Sequence, residues 1–273
     1  MIRVLATAST EFLIALRNRW VAIAIAMMVI FSLVLSAAGS APTGALGVDR
    51  LSVTVASLTS LSVYLVPLVA LLMSFDGVAG EVERGTLPLV LTYPVSRAEL
   101  LLGKLLAHLA VLTLAVVAGY GSAAAAAVSV DADAVQGVPA LWRLMWSSVL
   151  LGAAFLGLGY ALSALSRRPA GAAGLAIGLW LVMIVLYDLG LLAAVVTDGG
   201  GWFTTRLFPW LLVANPADAF RLFNLAASDA TAAASGVAGA ADAIPPAHAL
   251  VSLVLWPLLG LAGAVAIFKK VTP

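Results

Sequence analysis

Six long runs of apolar residues, separated by short polar segments, dominate the pattern of the chain. An α-helix needs about 20 mainly apolar residues to cross a bilayer, whereas a transmembrane β-strand alternates over about 10 residues. The lengths of the runs therefore favour helices. The pattern predicts an all-α membrane protein with six transmembrane helices, at residues 20–38, 53–74, 100–130, 143–165, 170–197 and 248–268.

The residues before the first run form an amphipathic pattern. Four apolar side chains share one face of a helix through residues 1–19, namely Leu5, Phe12, Leu13 and Leu16. This arrangement is typical of a helix that lies in the plane of the membrane. The alternative is an ordinary polar lead-in to the first span. The run at 20–38 is longer than the about 7–15 apolar residues of a signal peptide, so we interpret it as the first span.

Basic residues in the short connecting segments predict the orientation, because Lys and Arg accumulate on the cytoplasmic side. With the N-terminus inside, the cytoplasmic side receives 10 of the 14 basic residues and the outside receives 4. Both termini are therefore expected in the cytoplasm of a bacterium, with the protein in its inner membrane. The cytoplasmic set is Arg3, Arg17, Arg19, Arg84, Arg97, Lys104, Arg167, Arg168, Lys269 and Lys270; the outer set is Arg50, Arg143, Arg206 and Arg221.

Composition narrows the functional classes. The 273 residues are 63% hydrophobic and 10% charged, against about 25% charged in soluble domains, and no basic stripe predicts nucleic-acid binding. The absence of cysteine excludes disulfides and thiol catalysis. Gly103 and Lys104 lack the surrounding residues of a phosphate-binding loop, and no histidine-rich metal motif occurs. We therefore expect neither ATP hydrolysis nor a bound cofactor or metal in this chain.

The charged segment at residues 76–98 joins the second and third runs and carries several signals of local structure. Residues from Asp76 to Arg84 can form a short helix, which Gly85 would end because glycine adopts the left-handed conformation readily. A second short helix is predicted to begin near Thr86. We call residues 76–98 the elbow.

The end of the elbow is predicted by a proline and a cap. Pro94 breaks the chain, Ser96 caps the third span, and Glu99 completes a capping box. An apolar face is expected from Leu87, Leu89, Val90 and Leu91. Helix–helix connections usually take about 2–8 residues, so a longer, ordered and charged connection favours a protein-docking surface over a simple chain reversal.

Two polar residues within the spans are candidates for function. Asp188 is an acid in the outer half of the fifth span, where a charge costs roughly 2.5–3.5 kcal/mol and should face protein or water. It could line a conduction path or bind a proton or cation, or it could be a structural hydrogen-bond acceptor. His108 lies one helical turn after Lys104 and is interpreted either as a pathway residue or as a packed polar side chain.

The largest outer segment covers residues 198–247. Its first half is amphipathic, with Asn215 and Pro216 as a helix start, and Phe220, Leu222 and Phe223 are expected to rest on the outer leaflet. Its second half, including residues 228–243, is rich in small residues and is predicted to be a loop.

Three motifs carry a resemblance to a known family. "GEVERGTLPLVLTYPVSRAELLLGK" resembles the coupling region of type II ABC exporter permeases. With "YDLGLL" and "NPADAFRLFNL", the chain is similar over essentially its whole length to the NosY family, the permease subunits of transporters that mature nitrous oxide reductase.

The resemblance implies a fold like that of type V ABC exporters and a homodimer with two cytoplasmic ATPase subunits that bind ATP and Mg²⁺. It also implies a periplasmic partner that serves assembly of the copper–sulfur centre. The residues implied at the ATPase contact are Glu81, Glu83, Arg84, Gly85 and Thr86. Those implied to hold the elbow against the third span are Pro94, Arg97 and Lys104. Those implied at the periplasmic partner are Trp202, Trp210, Asn215, Asp218 and Arg221.

Other classes remain open at this point. The chain could be an ABC exporter permease for another small substrate, an intramembrane enzyme, or a membrane scaffold that transports nothing. Ser60 and Ser62 have no evident partner for nucleophilic catalysis, which disfavours the enzyme. Co-purification with an ATPase would separate the permease from a scaffold.

Overall fold

The computed structural model describes residues 2–38, 49–225 and 245–271, and in these ranges every regular element is helical. The helices are α1 Ile2–Arg17, α2 Arg19–Ala38, α3 Arg50–Ser74, α4 Asp76–Glu83, α5 Leu87–Thr92, α6 Arg97–Val130, α7 Val138–Leu165, α8 Pro169–Trp180, α9 Tyr187–Asp198, α10 Phe208–Ala214, α11 Pro216–Leu225 and α12 Pro246–Phe268. A 3₁₀ turn covers Ala132–Gly137, and π-helical stretches cover Leu181–Leu186 and Phe203–Leu207.

Five helical stretches are long and apolar enough to cross a membrane, within the ranges described above. They are Arg50–Glu83, Arg97–Val130, Ala132–Leu165, Pro169–Asp198 and Pro246–Phe268. α1 and α2 meet at a bend of 69°, and together they would supply a sixth. The helical membrane fold is therefore confirmed, and a sixth span depends on how this bent pair lies in the bilayer.

α7 lies at the centre of the bundle and packs against α3, α6 and α12. Its contact with α12 is close because Gly157 faces Gly260, and a Cβ at position 157 would lie 2.8 Å from the Gly260 carbonyl carbon. Phe155 and Tyr160 on α7 are fully buried. Small residues thus let the helix backbones approach each other, while large side chains fill the space between the helices.

The elbow has the predicted local structure, with one difference. Gly85 has a φ of 67° after α4, and Ser96 and Glu99 form a capping box in which each side chain accepts the other's backbone N–H. α4, however, is not separated from α3 by a break in the helical path. Phe75 is helical, so α3 and α4 continue each other until Gly85 stops them.

The four leucine and valine side chains of the elbow do not form the single apolar face that was expected. Leu87 is fully buried in the core, Val90 and Leu91 are half-buried, and Leu89 is exposed. A helix as short as α5, with 6 residues, cannot turn all of them to one side.

Residues 203–225, which we call the returning segment, run back along the bundle after the fifth span. The Tyr187 hydroxyl donates to the Leu211 carbonyl at 2.7 Å, and Asn215 Nδ2 donates to the Met183 carbonyl at 2.6 Å. Met183 lies in the π-helical stretch near the middle of the span. The segment therefore reaches well down the fifth span before α11 begins.

The expectation that the returning segment rests on the outer leaflet is wrong for its main apolar side chains. Phe220 is fully buried and Phe223 nearly so, because α11 packs against α3, α7 and α12. The apolar face of α11 packs in the protein core. An amphipathic pattern alone does not distinguish such packing from a contact with lipid. The loop predicted at 228–243 lies outside the described residues.

Candidate functional site

Lys104 on α6 is the centre of a buried ionic cluster at the elbow end of the bundle. Its Nζ lies 2.8 Å from Glu81 Oε1 on α4 and 2.5 Å from Glu11 Oε1 on α1. The side chains are 5%, 11% and 20% exposed, respectively. Three helices thus meet at one ammonium group. We call these three residues the elbow cluster.

Close approach of the backbones makes the elbow cluster possible. A Cβ at Gly103 would lie 2.6 Å from the Cβ of Thr7, so only glycine lets α1 pack this tightly on α6. On the other side, Ser163 Oγ on α7 accepts hydrogen bonds from the backbone N–H groups of Val78 and Ala79 at 2.9 Å each. α4 is consequently fixed to both α6 and α7.

The charges of the elbow cluster do not balance, since two carboxylates share one ammonium. The second oxygen of Glu81, Oε2, is buried without a hydrogen-bond partner. One turn further along α6, His108 Nδ1 and the Tyr160 hydroxyl form a hydrogen bond of 2.6 Å, with the two rings stacked. His108 therefore packs against Tyr160 of α7.

The tip of the elbow reaches the surface. Glu83, Arg84 and Gly85 are exposed, and Thr86 is half-buried. Arg84 makes one contact of 3.4 Å with Asp76, and both side chains are well exposed. Glu81 is the exception among the residues expected at the ATPase contact, because its carboxylate turns inward to Lys104.

Arg97, at the start of α6, joins the elbow to the end of α12. Its Nη1 donates to the carbonyl oxygens of Phe268 at 2.5 Å and Val271 at 2.6 Å, and its guanidinium lies over the Phe268 ring. Pro94, which was expected to help hold the elbow, is exposed in the connection between α5 and α6. The elbow is thus anchored at its end by a charge-assisted helix C-cap.

The residues expected at a periplasmic partner divide into two groups. Trp202 and Trp210 are largely exposed. Asn215 and Asp218 are buried; Asn215 bonds to the Met183 carbonyl and the Ala217 N–H, and Asp218 pairs with Arg221. Their side chains are therefore engaged within the chain, and only the tryptophans and part of Arg221 offer a surface.

Asp188 is also paired within the chain. Its Oδ2 accepts from both terminal nitrogens of Arg221, at 3.2 and 3.1 Å. Two charge-assisted hydrogen bonds thus end on one carboxylate oxygen, which is compatible with Asp188 as a structural acceptor, although its side chain is still 29% exposed.

Comparison with known proteins places this geometry in a family. The family model described as ABC-2 family transporter protein matches residues 5–272. The chain is 44% identical over 266 residues to the probable ABC transporter permease protein NosY of Pseudomonas aeruginosa, covering 96% of each chain. It is 40% identical over 260 residues to the protein of the same name in Stutzerimonas stutzeri, covering 93% of this chain and 94% of that one. The chain belongs to the NosY permeases of the ABC-2 transporter family.

A NosY permease is the non-catalytic membrane component of an ABC transporter, and it works together with ATPase subunits and a lipid bilayer. In this NosY permease, sequence reasoning missed Glu11, Tyr160 and Ser163. A signal for Glu11 was present, because a lysine as deep in an apolar helix as Lys104 requires carboxylates nearby. Nothing in the local sequence marks Ser163 as the acceptor for α4.

Proposed function

We propose that the chain couples ATP hydrolysis in separate cytoplasmic ATPase subunits to movement of the membrane bundle, in a transporter that serves assembly of the copper–sulfur centre of nitrous oxide reductase. The transporter exports a small cargo or transmits the motion to a periplasmic partner. ATP and Mg²⁺ bind to the ATPase, in which hydrolysis takes place. We infer further that both termini of the chain lie in the cytoplasm and that its fold is of the type V ABC exporter kind.

The observation that carries this proposal is the construction of the elbow. Its tip, at Glu83, Arg84 and Gly85, is exposed, whereas its base is fixed by the buried elbow cluster and by Ser163. A force on the tip is therefore passed to α1, α6 and α7 together. A loop that only reversed the chain would need no such anchoring.

Exposed surfaces support the proposal of a second subunit and a periplasmic partner. Only 11% of the most apolar stretch of Pro169–Asp198 is buried, against 67% for Arg50–Glu83. We assign this uncovered span to contacts with a second copy of the chain and with lipid. Trp202 and Trp210 are large aromatic side chains at the surface of the returning segment, and such side chains are enriched at protein interfaces.

The test is a charge reversal at the tip. Arg84→Glu should abolish co-purification of the ATPase and leave nitrous oxide reductase without its copper–sulfur centre in cells. The matched control is Arg206→Glu, an equal charge change at an exposed position of the returning segment, which should leave the ATPase bound. If the Arg84→Glu chain folds and retains the ATPase, the elbow is not the docking site. If the ATPase is lost but the reductase centre still forms, the assignment to this reductase fails.

A further inference from the structure

Asp188, Asp218 and Arg221 form a second ionic cluster, which we call the far cluster, in the half of the bundle away from the elbow. Arg221 Nη1 donates to Asp218 Oδ1 at 3.3 Å, in addition to its contacts with Asp188. The Asp218 side chain is only 2% exposed, and its second oxygen, Oδ2, is buried without a hydrogen-bond partner. A bare carboxylate oxygen inside a protein is costly, so this atom requires an explanation.

Within the part of the chain that the structure describes, the surroundings of Asp218 do not supply a second cation. Four helices pack on α11, namely α3, α7, α10 and α12. Their titratable side chains are Arg50 and Tyr64 on α3, Arg143 and Tyr160 on α7, and His248 on α12. Within the described residues none of these bonds to Asp218, and the Tyr187 hydroxyl of α9 donates to Leu211 instead. Two carboxylates therefore share one guanidinium.

A proton is the smallest ligand that removes the excess negative charge. Burial, and then the charge of Asp188, raise the pKa of the Asp218 carboxyl to about 7, although Arg221 acts in the opposite direction. A protonated Asp218 would be a donor as well as an acceptor, and it could form a hydrogen bond to the other carboxylate.

We propose that Asp188 and Asp218 form a proton-binding site, with one proton held between the two carboxyl groups and Arg221 bound to both. The site lies between α9 of the fifth span and α11 of the returning segment, so the proton holds these two elements together. Its loss leaves a net negative charge between them and weakens their contact. Asp188 and Arg221 are about 30% exposed in the single chain, so the pair lies at the edge of the bundle and is not sealed within it. The proposal is independent of the cargo and of the nitrous oxide reductase assignment.

The proton can be observed directly by infrared spectroscopy of the purified full-length chain in lipid nanodiscs. The carbonyl-stretch band of a protonated carboxyl should disappear with a midpoint near pH 7 when the sample is titrated from about pH 5 to about pH 9. Asp218→Asn should remove this band. Asp188→Asn should keep the band and move its midpoint to lower pH, while Arg221→Gln should move the midpoint to higher pH. Asp133→Asn, at an exposed carboxylate, is the matched control and should change nothing.

Thermal stability gives a second measurement with a defined sign. A carboxyl whose pKa is raised by folding stabilises the folded state at low pH, and this contribution is lost as the pH rises through the folded pKa. The melting temperature should therefore fall as the pH approaches about 7, and Asp218→Asn should flatten this dependence. The proposal is overturned if no band titrates, if the band survives in Asp218→Asn, or if its midpoint is the same in Asp188→Asn. It is likewise overturned if Na⁺ abolishes the band at fixed pH, since the ligand would then be a cation.

Discussion

Replacing Lys104 by methionine tests the elbow cluster most directly. The change keeps an unbranched side chain that is one atom shorter and removes the ammonium that Glu11 and Glu81 both bind. Removal of one partner from a buried ion pair costs about 3–5 kcal/mol, because the remaining charge has no compensation. Glu81 is 11% exposed and cannot be rehydrated easily, whereas Glu11, at 20%, can recover part of its hydration. We therefore expect a loss of about 3 kcal/mol, at the lower end of that range.

The same calculation predicts much smaller effects for two comparison variants. Glu81→Gln leaves Lys104 paired with Glu11 and retains a hydrogen-bond acceptor, so we expect a loss of about 1 kcal/mol. Arg84→Ala removes a contact with Asp76 in which the side chains are 57% and 44% exposed. Such exposed pairs contribute less than about 1 kcal/mol. The three variants thus form a series ordered by burial.

Thermal unfolding of the purified chain in a mild detergent is the assay. A change of 1 kcal/mol shifts the melting temperature of a domain of this size by about 2–4 °C, so Lys104→Met should lower it by about 6–12 °C. The double variant Lys104→Met with Glu81→Gln should recover part of this loss, because only the Glu11 carboxylate is then left without its ammonium partner. If Lys104→Met melts within the range of Arg84→Ala, the buried pairs do not carry the assigned energy.

Three further variants test the packing and the caps. Gly157→Leu should destabilise the bundle by about 1–3 kcal/mol or more, since the new side chain meets the Gly260 backbone. Its control is Gly121→Ala, where nothing lies within 4 Å of the new Cβ and stability should change by less than about 1 kcal/mol. Equal melting temperatures of the two variants would contradict this contrast. Asn215→Ala removes the side chain that accepts from the Ala217 N–H. Thermal unfolding should show a loss of stability of about 0.5–2 kcal/mol. No loss would mean that the start of α11 is fixed by packing alone. Ser163→Ala leaves two buried N–H groups of α4 without an acceptor. This should lower the free energy of unfolding by about 1–3 kcal/mol and increase hydrogen exchange in α4. Unchanged exchange would show that another group replaces the hydroxyl.

The elbow could be predicted from the sequence because its signals are local. The capping box of Ser96 and Glu99 spans three residues, and Gly85 ends α4 by its own backbone conformation. Each of these features depends on neighbours in the chain, which a sequence displays directly. The lengths of the apolar runs are local in the same sense, and five of the runs coincide with long apolar helices.

The contacts that give the elbow its anchoring are distant in sequence. Lys104 and Glu11 are 93 positions apart, and Ser163 lies 84 positions from Ala79. The course of the returning segment depends likewise on the pairing of Arg221 with Asp188, 33 positions away. An amphipathic pattern states that one face is apolar but not which surface covers it, and for that reason the destination of Phe220 was predicted wrongly.

Replacing the whole elbow cluster by apolar residues would separate stability from positioning. Hydrophobic contacts have no preferred direction, whereas Lys104 binds its two carboxylates only in one arrangement of α1, α4 and α6. Well-packed apolar substitutes for a buried ionic triad are often as stable as the triad itself. We therefore expect the triple variant Glu11→Leu, Glu81→Met and Lys104→Met to melt close to the unmodified chain. If the ions fix the position of α4, this variant should nevertheless lose transport-coupled ATP hydrolysis when the ATPase is bound. Full coupling in a stable triple variant would show that packing alone positions the elbow.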